Sequence, residues 1–290
     1  MPDFRTCNVC PGRGRLEEAR EVAQVACNVR EFRDRQFTVW RCLHCASLHC
    51  AEDIDHAQYY RRYPIQAQRA DLPTRLLFAS RRRQMQRGGV RAPQSLLDYG
   101  CGNGGFVEFL RRCGFGAVEG FDPYSERYAD RRTLDRRYDV VVAQDAIEHV
   151  PDPGEFLDEI LGLVGTAGTA VIGTPDATAL DLDDVLDRVG RLHQPYHQHI
   201  LSLSALTAMI HSRGFAVSRI EHRWYADTLY PFINSRFLFG YVHATGGFID
   251  AAFEPWRADV VLRSPGLLMH GLTGGCFNPR KDVVVFATRH

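Results

Sequence analysis

A glycine-rich turn directly after an apolar strand constrains this chain more than any other feature. Residues 95–104 read Ser-Leu-Leu-Asp-Tyr-Gly-Cys-Gly-Asn-Gly, and the acidic Asp122 follows after one short predicted helix. This order of strand, turn, helix and acid is typical of a nucleotide-binding βαβ unit, because glycines allow the backbone to approach a ligand closely. The sequence therefore predicts an α/β protein built on a mainly parallel sheet.

Two classes of cofactor fit this turn. The dinucleotide fingerprint G-x-G-x-x-G is satisfied by Gly100, Gly102 and Gly105, with Asp122 near the position of a ribose-binding acid. Asp98 separates the two classes, because a carboxylate at the strand tip would repel a pyrophosphate at the next helix N-terminus. S-adenosylmethionine has no phosphate and carries a sulfonium and an ammonium. We therefore predict S-adenosylmethionine, with a nicotinamide or flavin nucleotide as the alternative.

Four segments together resemble class I S-adenosylmethionine-dependent methyltransferases. They are Leu-Asp-Tyr-Gly-Cys-Gly-Asn-Gly at 97–104, Gly-Phe-Asp-Pro at 120–123, Tyr-Asp-Val-Val-Val-Ala-Gln-Asp-Ala-Ile-Glu-His-Val at 138–150 and Gly-Thr-Pro-Asp at 173–176. The resemblance covers about residues 94–223, with a last strand at 282–288. It implies a Rossmann-like, doubly wound sheet whose last strand is antiparallel.

The predicted cofactor site combines the turn, the end of the second strand and the loop after the fourth strand. Asp98 would attract the methionine moiety and Asp122 would accept hydrogen bonds from the ribose. Only 16 residues separate Asp122 from Asp139, so the third strand is expected to be reduced or missing, and Tyr124 or the loop at Gln144 would hold the adenine. The full predicted set is Asp98, Gly100, Gly102, Asn103, Gly104, Asp122, Pro123, Tyr124, Gln144 and Asp145.

Two Cys-x-x-Cys pairs precede this domain. Cys7 and Cys10 form the first pair, and Cys42 and Cys45 follow after 31 intervening residues, next to a strand-like segment. Four thiolates at this spacing indicate a zinc ribbon with one structural Zn²⁺ and no open coordination position. The odd total of nine cysteines also favours metal ligands or free thiols over disulfides. Nearby residues that could replace one ligand are Cys27, Cys50, His44 and His49.

The loop after the fifth strand contains a candidate catalytic pair. Its Tyr196-His197-Gln198-His199 segment is similar to the Tyr-x-Glu-His element of zinc-containing sugar C-methyltransferases, which also begin with a four-cysteine domain. The resemblance implies His199 as general base and Tyr196 as its hydrogen-bonding partner. Gln198 replaces the Glu of those enzymes, and this chain is too short for their second large domain.

Other histidines compete for the role of base. His149 follows Glu148 at the predicted cofactor edge, where it is either a packing residue or a catalytic one. His193 and His197 lie in the same loop as His199 and are further alternatives.

Two charged runs are interpreted as solvent-exposed. The first is a predicted helix face, for which phosphate binding is the less favoured alternative. The second is an acidic loop with a helix start, for which a Mg²⁺ site is the less favoured alternative. The runs are Arg81, Arg82, Arg83 and Arg87, and Asp181, Asp183, Asp184 and Asp187.

Length and composition limit what can be predicted about domain organisation and location. The chain has 290 residues, 45% of them hydrophobic, which suffices for one α/β core with small additions. We expect a cytoplasmic protein, since neither a signal peptide nor an apolar run long enough to span a membrane is evident. The predicted organisation is a zinc ribbon at 1–52, a helical connector at 53–93, the cofactor-binding domain at 94–223 plus 281–290, and an inserted cap or oligomer contact at 224–280.

Together these features predict a methyltransferase that modifies an O or C nucleophile of a small metabolite, which could be nucleotide- or carrier-linked. One alternative is C-methylation of a nucleotide-linked keto sugar. A second is a zinc-ribbon nucleic-acid-binding protein, disfavoured because the net charge is zero and no basic aromatic stripe is present. An oxidoreductase is the third, and Asp98 argues against it.

Overall fold

A computed structural model describes residues 4–61, 63–64, 71–223, 225–226, 228–277 and 279–289. Within this part of the chain the strands are β1 (Val22–Ala26), β2 (Gln36–Arg41), β3 (Leu48–Cys50), β4 (Leu96–Tyr99), β5 (Val118–Phe121), β6 (Tyr138–Gln144), β7 (Val164–Pro175), β8 (His199–Ile200), β9 (Phe215–Arg223) and β10 (Asp282–Arg289). The α-helices are α1 (His56–Tyr60), α2 (Leu72–Arg87), α3 (Gly105–Arg112), α4 (Pro153–Gly162), α5 (Val185–Gly190), α6 (Leu203–His211), α7 (Ser235–Ala244), α8 (Ala258–Leu262) and α9 (Pro265–Phe277).

The larger sheet has six strands in the order β5-β4-β6-β7-β10-β9. Strands β5, β4, β6 and β7 run parallel, and β10 is antiparallel to both of its neighbours. Strand β4 has β5 on one side and β6 on the other, so the order in which the chain adds strands reverses beside β4. Open α/β sheets bind ligands at such a switch point. The predicted doubly wound sheet is confirmed.

The third strand expected in such a sheet is absent from the described residues between β5 and β6. This stretch contains one short 3₁₀ helix at Arg131–Leu134. Because so few residues separate the two strands, the chain has no room for a further strand and a covering helix, and β5 is the edge of the sheet.

Apolar side chains fill both faces of the sheet. Leu96 and Val140 lie on one face and Leu97 and Val141 on the other, all with at most 1% exposure. Such burial on both faces explains why the parallel strands read as continuous apolar runs rather than as alternating ones. Helix α4 begins with Pro153 after Asp152, whose side chain accepts hydrogen bonds from the backbone of Gly154 and Glu155.

The smaller sheet combines strands from two of the predicted domains. Its strand order is β1-β2-β3-β8, and β8 comes from the loop after β7. Leu48 pairs with Ile200 and His49 with His199, so a two-residue strand from the cofactor-binding range extends the sheet of the N-terminal unit. The segment that contains Tyr196 and His199 is thereby fixed against the cysteine-rich unit.

The segment between β9 and β10 forms α7, α8 and α9. Phe237, Tyr241 and Leu267 make a small apolar cluster of their own, and α7 also contacts α5. No helix in the described part of the chain combines the length and the apolar character that a membrane crossing requires.

Two expectations about charged runs require correction. Asp187 is buried rather than solvated, because it accepts from Lys281 Nζ at 2.6 Å and lies beside Arg191. Arg81 is only partly exposed, since its Nη2 donates to Asp145 at 2.5 Å. Periodicity alone did not reveal either ion pair, because each partner is distant in sequence.

Candidate active site

A cavity of about 1190 Å³ opens at the carboxyl ends of β4, β5 and β6. Its wall combines the glycine turn, the loop after β6, the loop before β8, helix α2 and the segment that contains α7. The volume exceeds the roughly 300–1,000 Å³ typical of a pocket for one small ligand. The cavity therefore has room for a cofactor and an acceptor side by side.

The glycine turn contributes Gly100, Gly102 and Gly105 to the wall of this cavity, whereas the predicted Gly104 is not among the lining residues. Gly100, Gly102 and Gly104 all have positive φ, between 57° and 81°. At Gly104 a Cβ would also lie 2.2 Å from the Tyr128 ring, so no other residue fits there without rearrangement. The turn delivers the chain into α3 and leaves its backbone beside the space where a ligand would bind.

Two carboxylates end the neighbouring strands β4 and β5. Asp98 is 6% exposed, and burial raises its pKa to about 7 although Arg81 opposes the shift. Asp122 accepts backbone hydrogen bonds from Gly102 at 2.9 Å and from Tyr124 at 2.8 Å. Each carboxylate oxygen can accept a further bond. Both acids line the cavity, where they can bind a cationic or hydroxyl group of a ligand.

Gln144 ends β6 with an amide that has no partner in the described structure. Its side chain is 7% exposed, and both Nε2 and Oε1 are buried without a hydrogen bond to any described residue. Since an unsatisfied buried amide costs about 1–3 kcal/mol per group, this position suits a ligand with a donor and an acceptor edge. Asn103, Pro123 and Tyr124 complete the predicted wall around the turn.

Asp145 also lines the cavity and pairs with two arginines. It adopts a positive φ of 55° and accepts from Arg81 and from Arg223, the latter at 2.6 Å. Burial would raise the pKa of Asp145, but Arg223 and Arg81 outweigh it and the pKa is lowered. The sequence did not single out Arg223, because nothing in the pattern of β9 distinguishes it from a surface arginine.

A cluster of titratable side chains faces the cavity next to the carboxylates. Burial raises the pKa of Glu148 to about 8, and it lowers the pKa of His197 to about 4. His149 and His193 are shifted well below the ordinary histidine value, chiefly by burial. The three imidazoles are therefore neutral near pH 7, and each has one ring nitrogen that carries no proton.

Ligand atoms of Glu148, His149 and His197 also lie within 4.8 Å of one another. One carboxylate and two imidazoles are a set that could hold a divalent cation.

The structure does not bring Tyr196 and His199 to the cavity wall. The Tyr196 hydroxyl donates to the backbone oxygen of Tyr59 at 3.1 Å, and its ring packs on Tyr63. His199 contacts His49 and the Pro151 carbonyl through its two nitrogens. In their place, Tyr63 from the connector and His193 line the cavity.

The four predicted metal ligands meet in the N-terminal unit. Sγ–Sγ distances are 3.7 Å for Cys7–Cys10, 3.8 Å for Cys7–Cys45 and 3.9 Å for Cys10–Cys42. Thiolates at about 2.3 Å from one Zn²⁺ in a tetrahedron would lie about 3.8 Å apart. The spacing of the sulfurs therefore fits a closed Cys₄ zinc site.

Comparisons with known proteins point to one family. A family model described as a methyltransferase domain matches residues 58–220. The ubiquinone biosynthesis O-methyltransferase of Caulobacter vibrioides is 34% identical over a 116-residue alignment that covers 31% of this chain and 46% of that protein. The chain thus spans less than half the length of this curated relative.

Solved structures with a similar fold include coclaurine N-methyltransferase bound to N-methylheliamine and SAH. Its TM-score is 0.43 at 15% identity, over 73% of this chain and 72% of that chain. A putative sarcosine dimethylglycine methyltransferase from Galdieria sulphuraria has a TM-score of 0.42 at 20% identity, over 74% of this chain and 85% of that chain.

Proposed function

Because the chain belongs to the methyltransferase-domain family, we propose that it catalyses S-adenosylmethionine-dependent methyl transfer to an oxygen or carbon of a small molecule. One observation carries the proposal: Asp98 and Asp122 line the same continuous cavity as the neutral histidine cluster. A cationic methyl donor and a proton acceptor would therefore face one space.

The cofactor is proposed to lie along the carboxyl ends of β4, β5 and β6. Asp98 would attract the ammonium and sulfonium, and Asp122 would accept from the ribose hydroxyls while its backbone bonds persist. The unpartnered Gln144 amide would then meet the adenine edge, with Tyr124 beside it. This arrangement replaces the support that a third strand commonly supplies.

Methyl transfer needs little from the protein beyond alignment, exclusion of water and removal of one proton, because the sulfonium already activates the methyl carbon. His149, among the residues singled out from sequence as catalytic, lines the cavity and is neutral near pH 7. We propose that the proton is taken by this cluster rather than by His199. The curated relative is named an O-methyltransferase, which supports an oxygen acceptor.

The segment between β9 and β10 is proposed to cap the acceptor. Phe232, Phe239 and Trp256 of this segment line the cavity. Aromatic rings at this position would exclude water from the sulfonium and give the acceptor an apolar surface. The alternative role from the sequence, in which this segment contacts a second copy of the chain, stays a prediction.

A structural zinc ion is proposed for the Cys₄ site. The cysteines are free thiols and their sulfur spacing matches tetrahedral ligation. A closed set of four thiolates offers no position to a substrate, so the ion would stabilise the N-terminal unit and take no part in the chemistry.

Labelled methyl transfer tests the proposed function directly. The protein is incubated with deuteromethyl S-adenosylmethionine and a small-molecule extract, and products that gain the label are sought by mass spectrometry. Calorimetry with S-adenosylhomocysteine and with NADH is run in parallel. Labelled small molecules and binding of S-adenosylhomocysteine are expected. Binding of NADH alone would contradict the proposal.

A further inference from the structure

A chain of hydrogen bonds links the N-terminal unit to the cavity. Asn28 follows β1 and is 4% exposed. Its Nδ2 donates to the Val189 carbonyl at 2.6 Å, and its Oδ1 lies 2.8 Å from His193 Nδ1. His193 Nε2 lies 3.1 Å from the hydroxyl of Tyr63. Tyr63 and His193 line the cavity, and Asn28 contacts His193 from the N-terminal unit.

One arrangement of protons satisfies these three hydrogen bonds. The Val189 carbonyl can only accept, so the Asn28 amide turns its nitrogen there and its oxygen towards His193. The Asn28 oxygen also can only accept, so His193 carries its proton on Nδ1. His193 Nε2 is then an acceptor, and the Tyr63 hydroxyl donates to it. The lone pairs of the Tyr63 oxygen remain available for a proton from a bound molecule.

The backbone and the rings around His193 hold it in this orientation. His193 has a φ of 32°, in the left-handed region that costs a non-glycine residue about 1–3 kcal/mol. Its ring stacks on Tyr196 at 4.9 Å, and Tyr196 in turn stacks on Tyr63 at 4.4 Å. Strain of this kind concentrates at functional sites. Tyr196 thus serves as a platform for two cavity side chains.

We propose that Tyr63 and His193 relay the proton released in methyl transfer, and that Asn28 is the residue of the N-terminal unit that positions this relay. The inference rests on the methyltransferase function proposed above. It assigns catalytic contact to Tyr63, proton storage to His193 and only positioning to Asn28.

The step balances in atoms and charge. The acceptor nucleophile forms a bond to the methyl carbon while the carbon–sulfur bond breaks and leaves its electron pair on sulfur. The acceptor proton moves to the Tyr63 oxygen, and the Tyr63 proton moves to His193 Nε2. The charge lost from the sulfonium thereby appears on the His193 imidazolium, whose Nδ1–H stays bonded to Asn28. Because burial lowers the pKa of His193, this imidazolium is short-lived and gives its proton to water as the product leaves.

Imidazole ¹⁵N resonances test the positioning role without an acceptor. Histidine-labelled protein bound to S-adenosylhomocysteine is compared as wild type and as Asn28→Leu, with His193→Gln to assign the signals. We expect a single Nδ1–H tautomer for His193 in the wild type and a mixture in Asn28→Leu. Gln84→Leu removes another buried amide, one outside the cavity lining, and should leave the tautomer unchanged. An Nε2–H tautomer in the wild type would overturn the inference.

Turnover tests the relay itself, using the acceptor found by the labelling experiment. Tyr63→Phe and His193→Gln should each lower single-turnover methyl transfer by ~10²–10⁴ with unchanged affinity for S-adenosylhomocysteine. Asn28→Leu should lower kcat by roughly tenfold or more without raising KM, because the wrong tautomer cannot accept from Tyr63. Asn28→Leu should add nothing in the His193→Gln background.

A full rate in Tyr63→Phe would overturn the relay while leaving the proposed function intact. Failure to bind S-adenosylhomocysteine would instead contradict the proposed function, and the tautomer of His193 in the unliganded protein would still decide the positioning role.

Discussion

His49 and His199 are joined by a hydrogen bond between their Nδ1 atoms, 2.9 Å apart, where β3 pairs with β8. His199 Nε2 donates to the Pro151 carbonyl at 2.9 Å, so His199 Nδ1 carries no proton and accepts from His49. Both nitrogens of His199 are used inside the fold. Burial and the neighbouring His49 lower the pKa of His199 to about 3. His199 thus connects two parts of the chain and is not presented to the cavity.

Replacing His199 should therefore affect stability more than chemistry. His199→Ala leaves the Pro151 carbonyl and the His49 donor without a partner, and we expect a loss of about 1–3 kcal/mol in the free energy of unfolding. His149→Ala removes a side chain of the cavity cluster, and we expect it to lower single-turnover methyl transfer more than His199→Ala does. Urea unfolding and rapid-quench kinetics measure the two effects. A His199→Ala variant that is stable but inactive would restore His199 as the base.

Cofactor affinity should depend on pH through Asp98. Its pKa is raised to about 7 by burial, so the carboxylate that attracts the cationic methionine moiety is progressively protonated below that pH. Affinity should fall as the pH drops through about 7, by at most about tenfold per pH unit, and should level off above about pH 8. Calorimetry between about pH 5.5 and 8.5 measures it. Asp98→Asn should bind weakly, with this pH dependence abolished.

Asp122→Ala should weaken S-adenosylhomocysteine binding by about 1–3 kcal/mol, because ribose hydrogen bonds are lost together with the backbone bonds to Gly102 and Tyr124. Calorimetry at constant pH gives the difference. Asp135→Ala, an exposed acid outside the cavity lining, serves as the control and should bind normally. Equal affinities of the two variants would remove Asp122 from the cofactor site.

Metal analysis should find one zinc per chain, and Cys42→Ser should lose it. The melting temperature should fall, since ligation contributes to the folding of the N-terminal unit. Cys276→Ser changes an exposed thiol outside the Cys₄ group and should retain both zinc and melting temperature. A metal-free wild type that melts at the same temperature as Cys42→Ser would refute the zinc site.

The sequence predicted the sheet and the glycine turn because their signals are local. The continuous apolar residues at 140–143 marked β6, and the glycines marked the turn. The spacing between Asp122 and Asp139 was also sufficient to predict the missing strand, since chain length limits what can be built. Each of these inferences needed only residues adjacent in sequence.

The sequence could not show in the same way which residues line the cavity. Tyr63 and His193 are 130 positions apart and meet only through the fold. Three candidate histidines lie between residues 193 and 199, and the fourth is His149. All four have the same chemistry, and only their orientation separates a cavity residue from a sheet residue. Asp187 was misread as solvated because its partner Lys281 is 94 positions away.

The pairing of β8 with β3 has a consequence for how the protein is made. The cysteine-rich unit emerges first from the ribosome, yet the outer edge of its sheet stays open until residues 199–200, about 150 positions later, have been synthesised. Contacts of such long range form late, because a long loop must close before they are gained. Until then the β3 edge can pair with another nascent chain, so translation beyond Ile200 determines when this edge becomes protected.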